Sequence, residues 1–248
     1  MASNSETGHA KNVANFDTLI SFVVGYGATY NPSKPSLKLP ALQTLATSAK
    51  ASINAVNAAL PAYSNAVAAR ETAFAPLSKL ITRVLNALKA TDTTQEVDES
   101  AKTLVRKIQG TRAKVKATEE EIAAAKTEGE EIKEISSSQM SFDNRLDNFD
   151  KLIKLLASIT LYAPNEADLK TTALTTLYND LKTKNAAVIA ATTPLSNARI
   201  SRNDTLYKPN TGLVDIAFDT KTYIKSIYGA TSPQYKQVSG LEFKAVKS

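Results

Sequence analysis

The sequence contains no cysteine, no tryptophan and a single histidine, His9. Without cysteine, disulfides, thiolate nucleophiles and cysteine-ligated zinc or iron–sulfur sites are excluded. His9 lies in the polar stretch MASNSETGHAKN, with no HExxH context and no partner histidine, so it supplies no metal or general-base constellation. It reads as a solvated surface residue in a frayed N-terminus. Glycine is also scarce, at 8 residues, and aromatics make up only 6%. The segment GYGATY (residues 25–30) lacks the GK[ST] ending of a phosphate loop, and no GxSxG elbow is present. The chain is therefore expected to be non-catalytic, with no cofactor, no metal and no small-molecule ligand.

Long apolar runs are missing too. The best candidate, LISFVVGYGATY at 19–30, falls short of the roughly 18 residues that span a bilayer as a helix, and Gly25 and Gly27 interrupt it. The N-terminus lacks the apolar core of a secretory signal. Together with the missing cysteine, this gives a cytoplasmic expectation, with export by a route lacking such a signal as the alternative. What is abundant is alanine, the residue helices favour most, while the aromatic and turn residues of strand-rich folds are few. The composition predicts an all-α protein. A net charge of +6 and a pI of about 9.3 permit an anionic partner without demanding one.

A stretch recurs. NFDTLI at 15–20 returns as NFDKLI at 148–153. With a one-residue gap near the glycines the parallel continues, placing Tyr30 and Pro32 on Tyr162 and Pro164, Leu42 on Leu174, and Arg70 on Arg202. Farther on, TLVRKIQG at 103–110 resembles TYIKSIYG at 222–229. The chain is thus expected to hold two helical repeat units, 13–115 and 146–235, with a flexible N-terminus at 1–12 and a tail at 236–248. Each unit reads as a short helix, a proline-marked turn, a long helix and a further helix. In the first, Val13, Phe16, Ile20 and Val23 share one helical face, Gly25 and Gly27 end the helix, and NPSKPS makes the turn. A long helix from about Leu39 to Phe74 follows, with Pro61 expected to kink it, as Pro194 should kink its counterpart near 166–206. In the tail, Leu241, Phe243 and Ala245 alternate, which fits a short extended strand against the bundle, and a mobile tail is the equal alternative.

Between the copies, Val97, Ala101, Leu104, Ile108, Thr111 and Val115 open a heptad register of about five heptads. Thr93 and Glu96 read as its capping box. An unbroken helix to Ser138 would be about 65 Å long, its second half covering 116–145. The whole is expected to be an elongated helical bundle, two repeated units joined by this coiled-coil-like helix.

Charge divides along that helix. Arg106, Lys107, Arg112, Lys114 and Lys116 precede Glu119, Glu120, Glu121, Glu128 and Glu131. Basic residues near the start and acidic ones near the end oppose the helix macrodipole. An antiparallel copy crossing near Ala117 would lay one half over the other. These residues are the candidate interface for self-assembly into an oligomer, and a structural or protein-binding role is the expected function. Nucleic acid is not the expected partner, because the basic run has no interleaved aromatics and an acidic run follows it. Asp143, Asp147 and Asp150 read as acidic residues opening a helix rather than as metal ligands.

A second class remains. Long bundle helices beside a short apolar element resemble, in architecture only, the helical pore-forming toxins. That resemblance implies a membrane-active protein in which Phe22, Val23 and Val24 would leave the bundle, hinged at Gly25 and Gly27. The counterpart LIKLLASITLY has ordinary helical spacing, which favours a core-facing helix here instead.

Overall fold

The computed structural model describes residues 7–111 and 141–244. Among them the secondary structure is helical throughout, without strands. The helices are α1 (Thr7–Gly25), α2 (Leu39–Phe74), α3 (Leu77–Lys89), α4 (Gln95–Gln109), α5 (Phe142–Ser158), α6 (Thr171–Tyr207), α7 (Leu213–Tyr228) and the short α8 (Pro233–Ser239). No described helix is long and apolar enough to cross a membrane.

Local sequence explains most boundaries. α1 stops at Gly25, and Gly27 takes the left-handed region at φ 56°, where a side chain would be strained. Pro35 opens the one-turn helix Pro35–Leu37 that leads into α2. Pro61 and Pro194 sit inside α2 and α6. Ser141 caps α5, its hydroxyl accepting from the Asn144 amide at 3.2 Å, which satisfies one of the free donors of a first turn.

The chain gathers into two compact units, Met1–Tyr63 with Ala191–Ser248, and Ser64–Ala190. In the first unit α1 packs on α7 and α8, and the Pro35–Leu37 turn packs on α7. Phe16 and Leu19 are fully buried there beside Leu42, Leu206 and Leu213. In the second unit α5 packs on α4, α4 on α3, and the Ala167–Leu169 turn on α3. Phe74, Phe149, Leu77 and Leu156 form its centre. Each such side chain contributes about 1.5–3 kcal/mol on leaving water. One detail appears in both units: Tyr30 Oη donates to the Leu37 carbonyl at 2.8 Å, and Tyr162 Oη to the Leu169 carbonyl at 2.8 Å.

Three expectations are corrected. The connecting helix does not run unbroken from Val97 to Ser138: α4 ends at Gln109, and Gly110 caps it at φ 70°, from which a right-handed helix cannot continue. Its buried stripe is Ala101, Val105 and Ile108, with Leu104 only half-buried. The Thr93–Glu96 capping box is absent; Thr94 is the N-cap, and Thr93 Oγ1 hydrogen-bonds Asp98 Oδ1 at 2.9 Å instead. Finally, His9 and Asn12 are not in a frayed solvated segment. Both lie in α1, at 6% and 2% exposure.

Candidate functional site

Of the ten candidate interface residues, only Arg106 and Lys107 are described. Arg112, Lys114, Lys116, Glu119, Glu120, Glu121, Glu128 and Glu131 lie outside the described residues. Arg106 and Lys107 occupy the last turn of α4, not the early part of a longer helix. There the cations face the negative end of the macrodipole and stabilise it, so the electrostatic mismatch read from the sequence does not exist at these two positions. The carboxylates of α5 also part company. Asp143, in the first turn, accepts from Asn185 Nδ2 at 2.7 Å, while Asp147 and Asp150 pair with Lys151 and Lys154, one turn on, at 2.6 Å each. Among the described residues no group of three His, Asp or Glu side chains could hold a metal ion.

The candidate membrane element is mostly committed to packing. Val23 is 2% exposed in the core of the first unit, and Phe22 is half-buried against it. Only Val24 projects, at 52% exposure, while Gly25 and Gly27 are exposed at the turn.

Around that turn the structure collects tyrosines that the sequence pattern did not connect. The Tyr26 and Tyr228 rings lie 5.3 Å apart, and Tyr30 meets Tyr223 edge-on at 5.3 Å. Tyr26 Oη donates to the Gln234 carbonyl at 2.9 Å, joining the end of α1 to α8. Lys225 Nζ stands 5.8 Å from the Tyr235 ring centre. The signal was present in the two aligned octapeptides, where Leu104 and Gln109 face Tyr223 and Tyr228. Single exchanges of Leu or Gln for Tyr carry no meaning until neighbours from distant segments are known.

Two buried polar clusters complete the picture. In the second unit Arg70 lies over the Phe142 ring at 3.9 Å and donates to Asn185 Oδ1 at 3.1 Å. Arg145 donates through Nε to the Ile108 carbonyl at 3.1 Å, with its pKa pushed down by burial. In the first unit His9 Nδ1 lies 2.6 Å from Tyr207 Oη. Beside it, Asn12 takes both backbone groups of Lys244: Nδ2 donates to the carbonyl at 2.8 Å, and Oδ1 accepts from the amide at 3.1 Å. Asn15 donates to the Glu242 carbonyl at 2.7 Å, and Phe243 is 6% exposed. The segment 241–244 is thus docked on the first unit rather than a mobile tail, while Ala245 lies outside the described residues.

Replacing Asn12 by alanine is expected to cost about 1–3 kcal/mol, since buried groups lose their partners. Amide exchange at Lys244 should accelerate more than elsewhere in the first unit. Unchanged exchange there would show that Phe243 and the Asn15 bond to Glu242 hold the segment without Asn12. Chemically, these clusters position helices and the C-terminal segment. Comparison with family models, with curated proteins and with solved structures returns no match.

Proposed function

We propose that the chain is a non-catalytic interaction protein, an all-helical scaffold of two repeated units that associates with a further copy of itself or with another protein. The observation that carries this reading is an exchange of halves. By sequence, α1, the Pro35–Leu37 turn and α2 correspond to α5, the Ala167–Leu169 turn and α6, and α4 corresponds to α7. Yet α1 packs on α7 and α5 packs on α4. Each compact unit therefore combines the early half of one sequence copy with the late half of the other. The division falls inside α2, between Tyr63 and Ser64, and inside α6, between Ala190 and Ala191.

Reciprocal exchange of an identical element is how two-fold dimers form by swapping. Here both partners are on one chain, and each half's complement is also present on every other molecule. That supports self-association by the same packing. Ile189 and Ile200 on α6, at 60% and 57% exposure, add apolar surface of the kind partners cover.

Light scattering coupled to size exclusion tests this. A discrete dimer is expected, its share rising when the chain is refolded at high concentration. A monomer at every concentration, and after concentrated refolding, would remove self-association and leave a different protein as partner. Reversing charge at Glu119, Glu120 and Glu121 asks whether that segment belongs to the contact, and an unchanged mass would exclude it.

A further inference from the structure

The tyrosine-bearing end of the first unit has a chemistry that the helical frame does not require. At aligned positions in the second unit, α4 closes with Leu104, Ile108 and Gln109 where α7 has Tyr223, Ile227 and Tyr228. Ile108 is fully buried, whereas Ile227 is 37% exposed. Val24, 52% exposed, stands where α5 has Ala157. The second unit also projects an aliphatic just past the end of α5, Leu161 at 53% exposure, but its matching helix ends carry Leu104 and Gln109 in place of the tyrosines, so the helical frame does not require them.

Three properties coincide on this face. Tyr26, Tyr228 and Tyr235 are half-buried, which suits rings with one apolar side and one wet tip, the residues enriched at membrane–water boundaries. Val24 and Ile227 are exposed singly near the ends of α1 and α7, the two helix ends whose Tyr26 and Tyr228 rings meet, unlike the continuous apolar centre of a protein interface. Lys225 and Lys236 are exposed and have no carboxylate partner among the described residues, leaving positive charge that an anionic headgroup layer would neutralise. Phe16, Leu19 and Val23 meanwhile stay in the core, so contact needs no helix to leave the bundle.

We infer that this face docks peripherally on an anionic lipid bilayer. Val24 and Ile227 enter the headgroup boundary, the tyrosines lie at headgroup level, and Lys225 and Lys236 meet lipid phosphates and carboxylates. The inference does not depend on self-association, and its test reads a different quantity.

Full-length protein is sedimented with vesicles of phosphatidylcholine containing phosphatidylserine, and with phosphatidylcholine alone. Binding is expected only to the anionic vesicles, weakening as salt rises. Lys225→Glu with Lys236→Glu should lower the partition coefficient about 25-fold, taking about fivefold for each lysine lost. Val24→Asp should also lower it at least tenfold, and because Val24 is exposed the helical circular dichroism should not change. Lys79→Glu with Lys89→Glu, an equal charge change on exposed sites of α3, should reduce binding far less. No binding to anionic vesicles would overturn the inference. Equal loss in both charge-reversed pairs would overturn it too, since attraction would then be general rather than seated on this face.

Discussion

Replacing Gly212 by alanine is expected to destabilise the protein by about 3 kcal/mol or more, at the upper end of overpacking costs. Gly212 is the N-cap of α7, and its backbone at φ −70° and ψ 157° is open to any residue. The obstacle is space. A Cβ there would lie 2.6 Å from the Lys208 nitrogen and 2.9 Å from the carbonyl carbon and oxygen of Leu206. All three are backbone atoms, so no side chain can swing aside. The turn cannot open easily either, because the Gly212 amide donates to the Lys208 carbonyl at 2.7 Å and the Asn210 amide to Asp215 Oδ2 at 2.8 Å. Asn210 already holds φ 65° within this turn. Leu206 and Leu213, on either side, are fully buried, and moving them would open the first core. Gly240→Ala is the control: nothing lies within 4 Å of its Cβ position, and less backbone freedom in the unfolded chain should leave stability equal or slightly higher. Denaturant midpoints for the two variants decide the matter. Equal midpoints would mean that the turn relaxes and the close approach costs nothing.

Features encoded by neighbouring residues were legible in the sequence. α2 runs from Leu39 to Phe74, as its apolar stripe and the flanking prolines predicted. The glycine stop after α1 and the NPSKPS turn also depend on local backbone chemistry. Gly110 shows where local reading fails. A glycine inside a heptad pattern is a tolerable loss of about 1 kcal/mol if the helix continues, or a left-handed cap if it stops, and only packing decides. Here Ile108 and Val105 are buried in the second core and Gly110 takes the left-handed conformation, so the glycine is a cap. His9 failed for a related reason. Its partner Tyr207 is 198 residues away, and a polar N-terminus gives no hint that a distant helix will bury it. The helix pairing was equally invisible: α1 packs on α7 and α5 on α4, segments far apart in the chain that no local pattern connects. The tyrosine face needed the same long-range knowledge, joining α1 to α7 and α8 across about two hundred residues.

Alkaline titration should expose the paired tyrosine bonds. Burial pushes the pKa of Tyr30 up to about 12, with the Thr220 hydrogen bond opposing and Tyr223 adding to the rise. Burial likewise pushes Tyr162 up to about 12, helped by Asp168 and Glu166. Each hydroxyl donates to a carbonyl, Leu37 or Leu169, at 2.8 Å, a bond that a phenolate cannot make. In the unfolded chain both phenols lose their protons near pH 10, so between pH 10 and 12 the unfolded state binds fewer protons than the folded one. Stability therefore falls with rising pH across that window, and below pH 10 the contribution is complete. A rise of that size corresponds to about 2.7 kcal/mol at most for each ring. The Tyr30→Phe, Tyr162→Phe double variant should lose about 1 kcal/mol per hydrogen bond at pH 7, and its stability should then decline less steeply from pH 10 to 12. Lysines titrate in the same range, but they are common to both proteins and cancel in the difference. Denaturant midpoints across pH 8–12 give that difference directly. Parallel curves for the two proteins would show that neither phenol is held protonated by the fold, and that the two bonds, although alike, do not couple stability to pH.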